Sequence, residues 1–197
     1  MHSFPNPSKG QFPLSAHLAA QPQMSGDPIG AITECDSENL SIKSINTEQE
    51  GKPRPFLKWV GGKRQLLDVL HEAAPTRIER YFEPFIGGGA FLFSMLPNSA
   101  TISDANPELV NCYQVIRDDV DSLIHSLKRH KNEEKYFYEV RAQKPLEMNP
   151  IQRASRFIFL NKTCFNGLYR ENRSGQFNTP FGKYINPKIA DTENLHA

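Results

Sequence analysis

A glycine triplet and an acidic residue stand where a nucleotide-like ligand could be held. Gly87, Gly88 and Gly89 follow an apolar run typical of a buried strand, and an apolar helical stretch comes after them. Glycines there let the backbone approach a ligand closely, and the start of the helix offers free N–H groups. Asp104 ends the next apolar run, where a carboxylate can accept hydrogen bonds from both ribose hydroxyls. Together these residues favour a nucleoside-containing cofactor without identifying it.

Simpler interpretations stay open for the same residues. A glycine triplet can be a plain turn, and Asp104 can cap a helix because Asn106 and Pro107 follow it. The dinucleotide fingerprint does not fit, since Leu92 stands where its last glycine belongs. Lys63 follows two glycines but lacks the flanking residues of a P-loop, so the phosphate-binding classes defined by those motifs are excluded.

The carboxyl-terminal part of the chain has the composition of a nucleic-acid-binding surface. Residues 141–197 contain nine basic and four acidic side chains, with aromatic residues interleaved. That mixture suggests nucleic acid more strongly than charge alone, although basic stretches are usually ordinary solvated surface. The formal net charge of +1 for the whole chain gives no argument in either direction.

The elements that must position these residues alternate between strand and helix. A strand, a glycine loop, a helix, a strand and an acidic residue, in that order, predict the opening of a doubly wound α/β sheet. After Asn166, closely spaced glycines, asparagines and prolines predict hairpins and loops. Apolar spacing predicts strands at 80–86 and 100–103 and helices at 63–73, 90–96, 106–116, 119–130, 132–142 and 152–161.

Composition separates residues 1–51 from the rest. They contain two lysines against six carboxylates, five prolines and no tryptophan or tyrosine, so we predict a disordered N-terminal extension. The chain has no apolar run near 18 residues, which argues against a transmembrane helix and a membrane partner. Three widely spaced cysteines argue against a metal site or a disulfide framework, and they make the cytoplasm the expected compartment.

Three blocks of sequence resemble the Dam-type (D12 class) adenine-N6 DNA methyltransferases. The blocks are FLKWVGGK at 56–63, FEPFIGGGA at 82–90 and SDAN at 103–106, in the order of that family. A later run, 160–184, resembles the family's target-recognition region. The resemblance covers about residues 52–190, and it implies an α/β fold. The expected architecture is an incomplete Rossmann-like methyltransferase sheet with an inserted helical and hairpin target-recognition region.

The resemblance implies S-adenosyl-L-methionine as the cofactor. By position, Trp59 packs on the cofactor or its pocket and Lys63 contacts it. Gly87 and Gly89 give room for its methionine half, and Asp104 binds the ribose. For Trp59 and Lys63 the residue types alone do not indicate these roles, because a tryptophan there is more often core and a lysine there is usually solvated.

The resemblance also implies double-stranded DNA as the partner. The positions that match the family's DNA-contacting hairpin are Asn166, Leu168, Arg170, Asn172 and Pro180. Arginine can pair with guanine O6 and N7, and leucine or proline can pack on a thymine methyl group, so a GATC-like site is our hypothesis. Lys162, Arg173 and Lys183 are expected to hold phosphates.

The family's adenine-accepting loop, [D/N]-P-P-[Y/F/W], does not occur in the sequence. We therefore expect residues 52–118 to be the N-terminal part of the cofactor-binding domain, 119–190 the target-recognition region and 191–197 a truncated C-terminus. The predicted function is site-specific methylation of adenine N6, of the kind found in restriction-modification, with this chain inactive alone. The alternatives are a non-catalytic DNA-binding remnant and one part of a split enzyme whose second chain supplies the missing loop.

Overall fold

The computed structural model describes residues 51–197, so the predicted disordered extension lies, but for its last residue, outside the described residues. Helices alternate with two short strands and then dominate the second half. Short 3-10 turns at Lys63–Leu66, Pro145–Glu147 and Phe165–Gly167 join some of them. The elements in chain order are α1 (Leu67–Ala73), β1 (Tyr81–Glu83), α2 (Ala90–Met95), β2 (Ala100–Ile102), α3 (Pro107–Asp118), α4 (Val120–Leu127), α5 (Glu134–Ala142), α6 (Pro150–Thr163) and α7 (Thr192–His196).

The two strands pair in parallel, with Tyr81 opposite Ala100 and Glu83 opposite Ile102. Parallel neighbours need a crossover, and here the glycine loop and α2 provide it. Both strands are shorter than the apolar runs predicted for them. Because the carboxyl ends of parallel strands meet at one edge, the segments that follow β1 and β2 lie side by side. The structure is thus a mixed α/β fold, and the doubly wound order beyond these two strands stays a prediction.

Helix α6 is the centre of the helical part, and α3, α4 and α5 pack around it. Asn149 begins α6 with a capping box, and Pro150 occupies its first turn, where a missing N–H is harmless. Every residue from Ala154 to Asn161 is buried, so the middle of this helix is enclosed on all sides. Within the described residues, no helix is both long and apolar enough to cross a bilayer.

A buried arginine joins α6 to the end of α5. Arg156 is 6% exposed, and its guanidinium donates to the carbonyl oxygens of Val140 (3.0 Å) and Arg141 (2.7 Å). The last carbonyls of a helix have no partner within the helix, so this guanidinium satisfies two of them. This pair of bonds, together with the apolar cluster of Phe137, Val140 and Phe159, holds α5 against α6.

Residues 164–181 fold back on themselves as an irregular hairpin. We call it the recognition hairpin because it lies within the run that resembles the family's target-recognition region. Antiparallel bridges join Cys164 to Phe181 and Glu171 to Phe177. At the tip, the Asn172 side chain accepts hydrogen bonds from the backbone N–H groups of Ser174 (2.9 Å) and Gln176 (3.0 Å). Phe181, at the base, packs on Phe137 of α5, and Phe177, nearer the tip, belongs to the same aromatic cluster of α5 and α6.

Candidate functional site

The glycine loop and Asp104 lie together at the carboxyl edge of the two strands. Gly87 has φ +52° and Gly89 has φ +73°, both in the left-handed region that glycine tolerates best. The Gly87 N–H donates to Asp104 Oδ2 at 3.0 Å, and the Asn106 N–H donates to Asp104 Oδ1 at 2.9 Å. Asp104 therefore ties the loop to the start of α3, and each oxygen keeps a lone pair for a further donor.

Asn106, rather than Asp104, caps α3. Its side chain accepts hydrogen bonds from the backbone N–H groups of Glu108 (3.0 Å) and Leu109 (3.2 Å), and Pro107 follows in the first turn. The capping interpretation of Asp104 is therefore wrong, since its carboxylate bonds to the glycine loop and to the residue that makes the cap. That arrangement leaves Asp104 half-buried at the rim of the site.

Trp59 lies directly against the glycine loop. A methyl group placed on Gly87 would lie 2.8 Å from Trp59 Cδ1, and one on Gly88 would lie 3.1 Å from Trp59 Cβ. A methyl group on Gly89 would lie 2.7 Å from the Tyr113 hydroxyl oxygen. Close packing of aromatic side chains thus requires glycine here, independently of any cofactor. The predicted role of these glycines in making room for a methionine half stays a prediction.

Asn161 holds the segment that carries Trp59. Its amide oxygen accepts from the Lys58 N–H at 2.9 Å, and its amide nitrogen donates to the Lys58 carbonyl at 2.8 Å and the Gly167 carbonyl at 3.0 Å. The side chain is 1% exposed. Sequence reasoning assigned no role to Asn161, although a polar residue beside Phe157 and Ile158 on a buried face was a signal available there.

Lys63 forms an ion pair with a buried carboxylate. Its Nζ lies 2.9 Å from Glu83 Oε1, and the Tyr81 hydroxyl donates to Glu83 Oε2 at 2.6 Å. Burial and the hydrogen bond to Glu83 raise the pKa of Tyr81 well above its ordinary value, so this hydroxyl remains a donor. One bond to Glu83 leaves two ammonium protons of Lys63 for another acceptor, which is compatible with the predicted cofactor contact.

The five predicted DNA-contacting residues all lie on the recognition hairpin. Asn166 and Pro180 are exposed near its base, where the Phe165 N–H donates to the Pro180 carbonyl at 2.8 Å. Arg170 is exposed, and its Nε donates to Asn178 Oδ1 at 2.8 Å. Leu168 is half-buried, and the Asn172 side chain shapes the tip. The fold thus brings these residues onto one element, and whether they contact DNA stays a prediction.

One residue of each predicted group, Asp104 and Asn172, lines the same cleft. It has a volume of about 1170 Å³, and both Asp104 and the hairpin residues Asn172 and Asn178 line it. Arg141 and Lys144, at the end of α5 and just beyond it, form part of another wall. A ligand held at Asp104 and a ligand held at Asn172 and Asn178 would therefore face the same space.

Comparison with known proteins agrees with the resemblance found in the sequence. The family model described as D12 class N6 adenine-specific DNA methyltransferase matches residues 59–197. The chain is 43% identical over 163 residues to the type II methyltransferase M.MjaIII of Methanocaldococcus jannaschii, covering 72% of this chain and 56% of that protein.

Bacterial relatives give the same result. The type II methyltransferase M1.LlaDCHI of Lactococcus lactis is 44% identical over 150 residues, with 73% of this chain and 53% of that protein covered. A DNA adenine methylase of Haemophilus influenzae is 37% identical over 150 residues, with 74% and 52% covered. The chain spans about half the length of these curated relatives. The match across residues 59–197 shows that the chain belongs to the D12 class of N6 adenine-specific DNA methyltransferases.

Proposed function

We propose that this chain binds S-adenosylmethionine at the glycine-loop edge of the sheet and duplex DNA along the recognition hairpin, in the service of adenine-N6 methylation. The observation that carries the proposal is the shared cleft, whose walls include the Asp104 carboxylate and the hairpin. A methyl donor and an adenine must meet within one space for transfer to occur. Family membership supports the same reaction.

The cofactor half of the proposal assigns Asp104 to the ribose. A carboxylate that accepts hydrogen bonds from hydroxyl groups forms charge-assisted bonds, which contribute about 1.5–3 kcal/mol each. We expect Asp104→Asn to weaken S-adenosylmethionine binding by roughly tenfold or more in calorimetric titration. Asp119→Asn is the matched control, because Asp119 also accepts a backbone N–H, from Ser122 at 3.2 Å, at a helix start away from the cleft. Equal losses in the two variants would contradict the assignment.

The DNA half assigns base reading to Arg170 and phosphate binding to Arg173, both of which are exposed on the hairpin. A bidentate arginine–guanine contact discriminates against a wrong base by about 1–3 kcal/mol, whereas a phosphate contact carries no sequence information. Arg170→Ala should reduce the preference for GATC over its single-base variants, and Arg173→Ala should weaken binding to all duplexes alike. Fluorescence anisotropy with labelled duplexes measures both, and equal affinity of the unaltered chain for all variants would refute the GATC hypothesis.

Methyl transfer itself is a separate question. The adenine-accepting tetrapeptide of the family does not occur among the 197 residues, so we propose that this chain alone binds both ligands and transfers no methyl group. Incubation of the purified chain with tritiated S-adenosylmethionine and GATC duplex tests this, and label in the DNA would refute it. The same assay with a second polypeptide that carries the tetrapeptide separates the split-enzyme alternative from a non-catalytic DNA-binding remnant.

A further inference from the structure

Tyr169 is a residue of the recognition hairpin, and its side chain reaches towards the glycine loop. Its ring stacks on the Trp59 indole, with centroids 5.7 Å apart and planes inclined by 23°, and it also packs on Phe157 at 5.0 Å. Its hydroxyl donates to Glu171, two residues further along the hairpin. A side chain that belongs to the hairpin is thus stacked on the residue that covers the glycine loop.

The contacts continue from Trp59 to the proposed ribose carboxylate. Trp59 packs so closely on Gly87 and Gly88 that an added methyl group would collide with it. The Gly87 N–H is in turn hydrogen-bonded to Asp104 at 3.0 Å. Each step from Glu171 through Tyr169, Trp59 and Gly87 to Asp104 is therefore a direct contact, and a contiguous packed path of this kind can carry energetic coupling.

Tyr169 and Arg170 are neighbours on the hairpin and have different partners. Arg170 is exposed and donates to Asn178 Oδ1 at 2.8 Å, whereas Tyr169 is half-buried against Trp59 and Phe157. Duplex DNA held by Arg170 would therefore bear on the residue next to the one that stacks on Trp59.

The Tyr169 hydroxyl is suited to remain a donor. Burial, followed by its hydrogen bond to Glu171, raises the pKa of Tyr169 above its ordinary value. The hydroxyl of Tyr169 therefore keeps its proton near neutral pH and can donate it.

We infer that Tyr169 is a positioning residue that couples DNA binding on the hairpin to cofactor binding at the glycine loop through its stack on Trp59. The inference rests on the proposed function, because it requires both ligands to bind. Coupling between two sites is reciprocal, so DNA changes the affinity for the cofactor by the same factor by which the cofactor changes the affinity for DNA. Typical coupling factors are about 5–150-fold.

The chain offers an internal reporter for the test. Trp59 is its single tryptophan, so tryptophan emission from the full 197-residue chain reports on the surroundings of Trp59, of which the Tyr169 ring is a part. S-adenosylmethionine affinity is measured by calorimetry with and without saturating GATC duplex, DNA binding by anisotropy, and Trp59 emission during the same titrations. We expect DNA to shift the Trp59 emission and to change cofactor affinity by about fivefold or more.

Two variants and a control isolate the contribution of Tyr169 to the coupling factor. Tyr169→Leu removes the stack, and we expect the coupling factor to fall below about twofold while DNA affinity without cofactor is kept. Tyr169→Phe keeps the ring and its stack on Trp59 and removes only the hydroxyl bond to Glu171, so the coupling factor should stay within about twofold of that of the unaltered chain. Tyr138→Phe is the matched control, since Tyr138 lines the same cleft but packs on Phe137 and Arg141; the factor should be unchanged.

The outcomes distinguish a failure of the coupling from a failure of the proposed function. If both ligands bind the unaltered chain and neither affects the other, the coupling is refuted and the proposed function stands. A Tyr169→Leu variant that couples and shifts Trp59 emission like the unaltered chain, or a Tyr169→Phe variant that loses the coupling, also refutes coupling through the ring stack. Failure of either ligand to bind overturns the proposed function and the coupling together.

Discussion

Replacement of Asn161 by alanine tests the contact that holds Trp59 in place. The change removes three hydrogen bonds, two to the Lys58 backbone and one to the Gly167 carbonyl. Each such bond contributes about 0.5–1.5 kcal/mol net, and a buried backbone group left without a partner costs about 1–3 kcal/mol. The two figures partly describe the same loss and cannot simply be added, so we expect Asn161→Ala to lower the free energy of unfolding by roughly 3–5 kcal/mol. That is a large part of the roughly 5–15 kcal/mol typical of a domain.

Urea unfolding followed by Trp59 fluorescence and far-ultraviolet circular dichroism measures the loss. The slope of the transition should be unchanged, since the surface exposed on unfolding is the same. Asn161→Asp supplies a second measurement. Its carboxylate keeps an acceptor for the Lys58 N–H but faces the carbonyls of Lys58 and Gly167 without a donor, so it should be at least as destabilising as alanine.

Asn132→Ala is the matched control for this prediction. Asn132 is also a partly buried amide, but it donates one hydrogen bond, to the Tyr184 carbonyl at 2.7 Å, and its buried Oδ1 has no partner among the described residues. Its replacement should cost about 1 kcal/mol. A loss below about 1 kcal/mol for Asn161→Ala, or one equal to that of Asn132→Ala, would refute the view that Asn161 positions Trp59.

Three further changes test the site and the core. Gly87→Ala should lower the free energy of unfolding by about 1–2 kcal/mol because of its left-handed backbone, displace Trp59 and weaken S-adenosylmethionine binding about tenfold in calorimetry. Gly61→Ala, which has positive φ but open space around it, should lower stability alone, and equal cofactor affinities of the two variants would contradict this. Lys63→Met should destabilise the chain in urea because Glu83, which is 6% exposed, loses its cation. The double variant with Glu83→Gln should regain stability but not cofactor affinity. Full recovery of cofactor affinity would show that Lys63 makes no cofactor contact. Burial, followed by the charge of Arg129, lowers the pKa of His130 from 6.5 to about 4, so its contribution to stability is present above pH 6.5 and is lost as the pH falls towards 4. Urea midpoints from pH 7 to 4 should fall less steeply in His130→Gln, and parallel profiles would contradict the assignment.

Much of the local structure follows from short stretches of sequence. Pro75 and Pro97 stop helices because proline cannot continue them, and the predicted end of α1 and of α2 each lies within two residues of these prolines. Pro107 and Pro150 begin helices after an asparagine cap, which is a pattern of adjacent residues. The glycine triplet between two strands, and the asparagines and glycines of the hairpin, are local signals of the same kind.

The strands predicted from apolar runs are longer than the strands in the structure. The apolar run 80–86 predicts a strand about twice as long as β1, which covers Tyr81–Glu83. The length of a strand depends on how many residues pair with the neighbouring strand, and only three residues of β2 pair with β1. The remaining apolar residues, Phe85 and Ile86, enter the turn that leads to the glycine loop.

The sequence by itself determined the family, the order of the elements from α1 to α6 and the candidate residues of both sites, because motifs and apolar spacing are properties of neighbouring residues. It predicted only hairpins and loops where α7 (Thr192–His196) lies. The tertiary structure decided how those residues meet. Asn161 and Lys58 are 103 positions apart, and their contact exists only because α6 packs beside the segment that precedes the glycine loop. The stack of Tyr169 on Trp59 arises in the same way. Contacts between distant segments depend on how whole elements pack in space, and no local pattern encodes that packing.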